Sequence, residues 1–292
     1  MIGSRVTARL VARGDEVTVL SRDPDAASRR LGVPAVGWRA ESEEAPVEAL
    51  EGRDAVIHLA GETVSQRWSA TSKEAIRVSR LAGTANLVAG LRQCSRRPGV
   101  LVSGSAVGFY GPLGPEPVDE TAPAGSDFLA DVCVGWEKAA REATELGVRT
   151  AIMRIGVVVC SAGGALKRML PPFKAGVGGP VGSGEQMMSW IDIDDLVSMI
   201  LAAVDGDERW SGPVNATAPT PVSNREFSKA LGKALRRPAI APVPAFALKA
   251  MYGEMAQIVL TGQAAVPAKA SELGFQWEHR DVASSLASQL GR

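Results

Sequence analysis

Cysteine and histidine are scarce in this chain, which has 292 residues but only three cysteines and two histidines. Cys94, Cys133 and Cys160 lack Cys-x-x-Cys spacing, and an odd number of cysteines argues against a framework of disulfides. His58 and His279 are too few to form a zinc-like cluster with these thiols. We therefore expect neither structural disulfides nor a metal site.

A net charge of one sign and long apolar runs are also missing. The chain carries 32 basic and 32 acidic side chains, so no overall field attracts nucleic acid or an anionic membrane. No apolar run reaches the roughly 20 residues of a membrane span, and no basic region followed by an apolar one opens the sequence. We expect a globular, cytoplasmic protein with a small-molecule substrate and no nucleic-acid or membrane partner. The oligomeric state is not predicted.

Short runs rich in Val and Ile alternate with segments of helical periodicity, which is typical of an α/β fold with a parallel sheet covered on both faces. The predicted strands are Glu16–Leu20, Ala55–Leu59, Val100–Ser103, Arg149–Ile155 and Pro213–Ala216. The predicted helices are Ser4–Arg13, Ser72–Gln93, Leu129–Leu146, Asp194–Val204 and Asn224–Leu235. We expect a doubly wound main domain over residues 1–220 and a small, mostly helical C-terminal cap over residues 238–292.

The first strand of this pattern is itself missing. The segment from Ser4 to Leu20 reads as a helix followed by a strand, the second half of a dinucleotide-binding β-α-β unit. Of the glycine-rich turn that should precede this helix only Gly3 is present, and we assign it to the cofactor site. We interpret Met1 as an internal methionine of a longer natural protein. If Met1 is instead the true start, the sheet lacks its central first strand, and we expect two unpaired inner sheet edges, weak or absent cofactor binding and poor solubility.

Ser21 and Arg22 follow the strand at Glu16–Leu20, and open α/β sheets bind ligands outside the carboxyl ends of their strands. An acidic residue at this point normally binds the ribose 2′-hydroxyl of NAD, whereas the planar guanidinium of Arg22 suits a 2′-phosphate. NADP is therefore the predicted cofactor. The alternative is a solvated loop arginine, because Asp23 stands beside it.

Small or potentially reactive residues follow the next two strands. Leu59, Ala60 and Gly61 let a backbone approach a flat ligand closely, and we assign them to cofactor contact, with a plain buried strand and turn as the alternative.

Ser105 and Tyr110 follow the third strand and are the candidate catalytic residues. A serine hydroxyl there can bond a carbonyl or hydroxyl over the nicotinamide, and the phenol reaches the same space. A turn serine is the alternative for Ser105.

In combination these motifs resemble a known family. The succession V-x-x-L-S-R, V-I-H-L-A-G-E, S-x-S-A-V-G-F-Y-G and W-E-K-A-A is similar to the atypical extended short-chain dehydrogenase/reductases. The closer likeness is to their epimerase-like NADP-binding subgroup, which carries a C-terminal domain of unknown function, and it spans essentially the whole chain. The resemblance implies a Rossmann-type sheet but no known substrate. It also implies NADP contacts at Ser21, Arg22, Leu59, Ala60, Arg80 and Val157.

The Tyr-x-x-x-Lys pair of that superfamily is absent. There the lysine lowers the pKa of the tyrosine, so that the phenol passes a proton at neutral pH. Cys133 and Glu137 occupy the corresponding positions, and a carboxylate beside a thiol raises the pKa of that thiol instead. We expect Cys133 to be a packing residue. Tyr110, Ser105 or a carboxylate such as Asp192 are the remaining candidates for proton transfer.

Two functions fit these residues. The leading interpretation is an NADP-dependent oxidoreductase or epimerase acting on a small molecule, with the glycine-rich loop at 176–186 and the cap on the substrate side. A nucleotide-sugar substrate is implied by the resemblance alone. The alternative is a non-catalytic NADP-binding sensor or regulatory protein that keeps the pocket without the proton-transfer pair.

Overall fold

Short strands and helices alternate along the computed structural model, which describes residues 1–291. The strands are β1 (Val19–Ser21), β2 (Ala35–Gly37), β3 (Ala55–His58), β4 (Val100–Ala106), β5 (Pro117–Val118), β6 (Arg149–Ile155), β7 (Val157–Val159), β8 (Met187–Met188), β9 (Trp190–Asp192), β10 (Gly212–Ala216), β11 (Val222–Ser223) and β12 (Ala264–Ala265). The helices are α1 (Ile2–Arg13), α2 (Pro24–Leu31), α3 (Val47–Leu50), α4 (Ala70–Gln93), α5 (Phe128–Arg141), α6 (Gly164–Lys174), α7 (Ile193–Asp205), α8 (Asn224–Leu235), α9 (Ala245–Tyr252), α10 (Gln257–Leu260), α11 (Ala268–Glu272) and α12 (Val282–Gln289). In this part of the chain no helix combines the length and apolar character needed to cross a membrane.

Four parallel strands form the central sheet, in the order β10-β6-β4-β3. The middle strand β4 pairs with β6 on one side and with β3 on the other. Its side chains alternate between the two faces, as the period of two requires. Val100 and Val102 pack with residues of α7, whereas Leu101 packs with Leu87 and Leu91 of α4. The predicted α/β fold with a parallel sheet is confirmed.

The strands β1 and β2 form a separate parallel pair that does not join the central sheet. The strand predicted over 16–20 is observed only at Val19–Ser21, where it has a partner on one side alone. Within residues 1–291, β1 pairs only with β2 and β3 only with β4, so two inner edges lack a strand partner. A cavity of about 810 Å³ lies between them. The predicted gap at the position of the first strand is therefore confirmed.

Side-chain caps fix where several helices begin. The Asp127 carboxylate accepts the Ala130 N–H at 2.8 Å and starts α5. Ser223 and Glu226 form a capping box at the start of α8, in which each side chain accepts the other's backbone N–H. The sequence predicts Ser223 or Asn224 for this cap, and the structure selects Ser223.

The C-terminal segment folds back over the carboxyl end of the sheet. The short strand β12 pairs with β5, and Val243 forms an isolated bridge with Val181 in the glycine-rich loop. The Trp277 indole donates to the carbonyl of Thr217, directly after β10, at 3.0 Å. These contacts place the C-terminal helices next to the loop that the sequence assigns to the substrate side.

Candidate functional site

The first candidate position is the end of β1, where Ser21 and Arg22 leave the sheet. The Ser21 hydroxyl donates to the Asp23 carbonyl at 3.1 Å and accepts the Asp23 N–H at 3.2 Å. The Asp23 carboxylate accepts the Ala26 N–H at 2.9 Å and caps α2. Arg22 is exposed, and none of the ion pairs within residues 1–291 involves it. The Asp23 carboxylate thus caps α2, whereas the guanidinium of Arg22 faces solvent.

Two side chains of α4 hold the loop that follows β3. The Ser79 hydroxyl accepts the Glu62 N–H, and Arg80 Nη1 donates to the Glu62 carbonyl, each at 2.9 Å. Gly61 lies so close to the guanidinium that a Cβ atom at this position would be 3.2 Å from Arg80 Cζ. Arg80 also lies over the Trp136 ring, 5.1 Å from its centroid. Arg80 therefore fixes the backbone of this loop, and a side chain at Gly61 would disturb that contact.

Three of the predicted cofactor residues surround one opening. Leu59 and Ala60, directly after β3, line the cavity between β1 and β3. Gly3 lies within the first turn of α1 and lines the same cavity. Val157 lies elsewhere, at the start of β7, where its N–H donates to the Ser189 carbonyl at 2.7 Å. The structure thus brings Gly3, Leu59 and Ala60 together and places Val157 on a neighbouring strand pair.

His58, the last residue of β3, is a buried neutral histidine. Its Nε2 lies 3.1 Å from the Thr84 hydroxyl of α4. Burial lowers the pKa of His58 to about 4 because the charged imidazolium is costly away from water. The side chain is therefore a core residue at neutral pH.

The two candidate catalytic residues lie in a buried hydrogen-bond network. The Ser105 hydroxyl donates to Glu137 Oε1 at 2.8 Å. The Tyr110 hydroxyl donates to Asn215 Oδ1 at 2.7 Å and accepts from Arg154 Nη1 at 3.0 Å. Only 1% of Tyr110 is exposed, and this burial raises the pKa of its phenol. Both hydroxyls thus have protein partners, and neither is open to solvent.

An ion pair between Glu137 of α5 and Arg154 of β6 is the centre of this network. The Glu137 carboxylate is fully buried and accepts from Arg154 Nε at 2.8 Å and Nη2 at 3.0 Å. Arg141, one turn further along α5, donates to the same carboxylate at 2.7 Å. The Arg154 guanidinium also lies 3.5 Å from the centroid of the Phe109 ring. The family that the sequence resembles has a lysine on this helix. This chain has Glu137 there instead, and its positively charged partner, Arg154, lies on strand β6.

Cys133 and Asp192, two further candidates for a reactive group, have structural roles. Burial, together with the charge of Glu137, raises the pKa of the Cys133 thiol to about 12, so the thiol stays protonated at neutral pH. The Asp192 carboxylate caps α7 by accepting the Asp194 N–H at 2.8 Å and also accepts from the Ser285 hydroxyl at 2.6 Å. The buried, protonated thiol of Cys133 agrees with its predicted packing role. Asp192 fastens helix α12 to the start of α7.

Asn215 and Glu120 are two members of the site that the sequence does not predict. Glu120 accepts the backbone N–H of Asn215 at 2.9 Å, and the Asn215 side chain donates to the Val266 carbonyl at 2.9 Å. A polar residue inside an apolar strand, as at Asn215 and Arg154, is the sequence signal that could have pointed to the site.

Within residues 1–291 no group of three His, Cys, Asp or Glu side chains is placed to hold a metal ion.

The chain belongs to the NAD dependent epimerase/dehydratase family, whose model matches residues 1–215. A second model, Domain of unknown function (DUF1731), matches residues 243–289. Among curated proteins, the chain is 42% identical over 290 residues to the epimerase family protein SDR39U1 homolog, chloroplastic, of Arabidopsis thaliana, and the match covers 98% of this chain and 82% of that protein. The resemblance deduced from the sequence motifs is confirmed.

Two solved structures extend this result. The human epimerase family protein SDR39U1 (isoform 2), solved with NADPH, has a TM-score of 0.89 and 32% identity, covering 100% of this chain and 96% of that one. A nucleoside-diphosphate sugar epimerase from Corynebacterium glutamicum has a TM-score of 0.68 and 32% identity, covering 98% of this chain and 61% of that one. The Rossmann-type arrangement is therefore shared with proteins of known structure.

Proposed function

We propose that the protein binds NADP(H) at the carboxyl edge of its sheet and acts on a small molecule as an oxidoreductase or epimerase. The free guanidinium of Arg22 carries this proposal, because the neighbouring carboxylate of Asp23 is used as a helix cap. NAD sites keep an acid free at this point for the ribose 2′-hydroxyl, whereas a free arginine suits a 2′-phosphate. The NADPH bound to the human relative supports the same assignment.

Two further features fit a dinucleotide phosphate. Helix α1 begins at Ile2 with no side-chain cap, so its first N–H groups and the positive end of its dipole are open to a pyrophosphate. The loop after β3 has no side chain at Gly61, and Arg80 fixes its backbone, which leaves a smooth surface for a flat ring. Arg22, the start of α1 and this loop would then hold the phosphates and the ribose-bearing rings.

The reaction chemistry divides between the cofactor and the chain. The nicotinamide, when bound, supplies or accepts the hydride. Ser105 and Tyr110 are the proposed groups that hold and move a proton, although transfer through the Tyr110 hydroxyl requires its bond to Asn215 to open. The loop at 176–186 and the C-terminal helices form the substrate side. The name of the Corynebacterium relative supports a nucleotide sugar as the substrate.

A second candidate is a non-catalytic NADP(H) sensor. The closed state of the Ser105–Glu137–Arg154–Tyr110 network favours it, because every hydroxyl that could move a proton already has a protein partner. The protonated Cys133 at the position of the family's tyrosine favours it as well.

Binding and turnover measured on one sample test both candidates. NADPH fluorescence is titrated with the purified protein to millimolar concentration. NADPH oxidation is then followed against a panel of carbonyl compounds, and sugar epimerisation is followed by NMR with UDP-hexoses. Binding with turnover supports the enzyme, whereas binding without turnover across the panel favours the sensor. Failure to bind NADPH contradicts both.

A further inference from the structure

The most exposed large apolar side chains within residues 1–291 lie in two segments of the chain. Val177, in the glycine-rich loop after α6, is 62% exposed. Ile240, Phe246 and Met251 follow α8 and are 82%, 76% and 60% exposed. Helix α9, which carries two of them, has no buried residue, so the core does not use these side chains. Several large exposed apolar residues close together mark an interaction surface, whereas isolated ones are ordinary.

Backbone contacts hold the two segments side by side. Val181 in the loop forms a parallel bridge with Val243, just before α9. A Cβ atom at Gly179 would lie only 2.3 Å from the Ala241 carbonyl oxygen. The helices that precede the two segments, α6 and α8, also pack together in one buried cluster. The exposed apolar residues of the loop and of the C-terminal segment therefore belong to one surface.

All charged side chains of this surface are basic. Residues 161–184 and 227–253 contain no aspartate or glutamate, but the first range has three basic side chains and the second has five. All of them are exposed, and none belongs to an ion pair within residues 1–291. We call the surface of these two ranges the basic apolar face.

The acidic residues that border the basic apolar face have other partners. Glu185 pairs with Arg225, and Glu254 pairs with Lys73. Glu226 belongs to the capping box of α8. The positive charge of the face is therefore not neutralised by these carboxylates.

This combination of charge and apolar exposure favours one class of partner. A symmetric contact with a second copy would bring the same basic face against itself, and like charges would repel. Nucleic acid would attract the basic groups, but it offers little to exposed aliphatic side chains such as Ile240, since its bases stack on aromatic rings. An anionic lipid surface suits both, because basic side chains lie at the headgroups while apolar ones enter the acyl boundary.

We propose that the basic apolar face binds the surface of an anionic lipid membrane. Ile240 and Phe246 enter the boundary of the acyl chains, and Arg236 and Arg237 lie at the headgroups. The balanced net charge of the chain predicts no membrane partner, but that balance is an average from which this face departs. The inference does not rest on the proposed function.

Sedimentation of sucrose-loaded vesicles tests the proposal on the whole chain without any cofactor. One set of vesicles contains equal amounts of phosphatidylserine and phosphatidylcholine, and the other contains phosphatidylcholine alone. We expect binding to the anionic vesicles to be stronger by about tenfold or more, since each basic side chain near such a surface contributes about fivefold in affinity. Equal binding to both sets, or no binding to either, would overturn the proposal.

A pair of arginines tests the contribution of charge. Arg236→Ala with Arg237→Ala should weaken binding to the anionic vesicles by about tenfold or more. The matched control is Arg29→Ala with Arg30→Ala, an exposed arginine pair on α2, which should leave binding unchanged.

A pair of apolar residues tests insertion into the membrane. Ile240→Ser with Phe246→Ser should also weaken vesicle binding by about tenfold or more, since the inserted apolar surface is lost. The matched control is Val11→Ser with Val134→Ser, because these valines are 46% and 41% exposed and lie on α1 and α5, outside the basic apolar face. The control should bind as the parent protein does.

Circular dichroism shows that each variant is folded. Unchanged vesicle binding in the folded form of either test pair would contradict the proposal. Tighter binding to duplex DNA than to anionic vesicles would assign the face to nucleic acid instead. A dimer in light scattering that dissociates in Ile240→Ser with Phe246→Ser would assign it to a second copy, and either result would overturn the proposal.

Discussion

The network around Arg154 and the cavity beside β3 bury polar groups in opposite ways. In the network, a carboxylate, two guanidinium groups and two hydroxyls all have partners at 2.7–3.0 Å. Beside β3, the cavity is lined by apolar side chains and by charged ones such as Arg53 and Asp54, and the inner backbone edge has no strand partner within residues 1–291. The difference teaches that the strands from β3 to β10 pair in one continuous sheet, whereas β1 and β3 do not pair with each other within residues 1–291.

The largest effect is expected from breaking the network. Arg154→Met leaves the buried Glu137 carboxylate without its main partner, and removing one member of a buried pair costs about 3–5 kcal/mol of unfolding free energy. Urea unfolding followed by circular dichroism measures the loss. The double variant Arg154→Met with Glu137→Met removes the charge as well and should recover most of it. A loss below about 1 kcal/mol in the single variant would show that the network is not closed.

The next effect concerns pH at the border of the cavity. Burial holds the pKa of His58 at about 4, below its ordinary value of 6.5, so the unfolded chain binds its proton first as the pH falls. Stability should therefore decrease as the pH falls from 6.5 to 4, by about 3 kcal/mol from this residue. Urea unfolding at several pH values measures this against His58→Gln, which lacks this contribution. Parallel pH profiles in the two proteins would mean that water reaches His58 through the cavity.

A smaller effect is expected at Arg22, directly after β1. Arg22→Ala removes the proposed partner of the 2′-phosphate, and loss of a charge-assisted bond weakens NADPH binding by roughly 10–100-fold. NADH binding should stay unchanged, because NADH lacks this phosphate. Arg29→Ala, on the exposed surface of α2, is the matched control. Fluorescence titration measures the dissociation constants of the parent protein and both variants for each nucleotide. An equal loss of affinity for NADPH and NADH in Arg22→Ala would show that Arg22 does not recognise the 2′-phosphate.

The smallest effect is expected from one hydroxyl of the network. Tyr110→Phe deletes the bonds to Asn215 and Arg154 but keeps the ring, so the unfolding free energy should decrease by about 1–2 kcal/mol. Urea unfolding measures this loss. Turnover of any substrate found for the protein then shows whether Tyr110 transfers a proton or only stabilises the network. A large loss of turnover at unchanged NADPH affinity supports proton transfer by Tyr110, whereas unchanged turnover excludes it.

The sequence predicts the regular parts of this fold better than the contacts between them. The strands at Ala55, Val100, Arg149 and Pro213 are predicted within a few residues, because each is a Val- or Ile-rich run with helices on both sides. The three-residue strand β2 is not predicted, since it is too short for any alternation to emerge.

The candidate site is less predictable for a physical reason. Glu137 and Arg154 lie on different elements, and their pairing depends on how α5 packs against β6 rather than on any local pattern. The use of Asp23 as a helix cap is likewise visible only in three dimensions, although Asp before Pro is a common start of a helix. The unpaired inner edges of β1 and β3 are the exception, because they are expected from the sequence and observed within residues 1–291.

The ratio of NADPH to NADH affinity tests the central claim most directly. Fluorescence titration of the same protein with both nucleotides gives this ratio. The free guanidinium of Arg22 predicts that NADPH binds at least tenfold more tightly than NADH. Equal affinities for the two nucleotides, or no binding of either at millimolar concentration, would contradict the account.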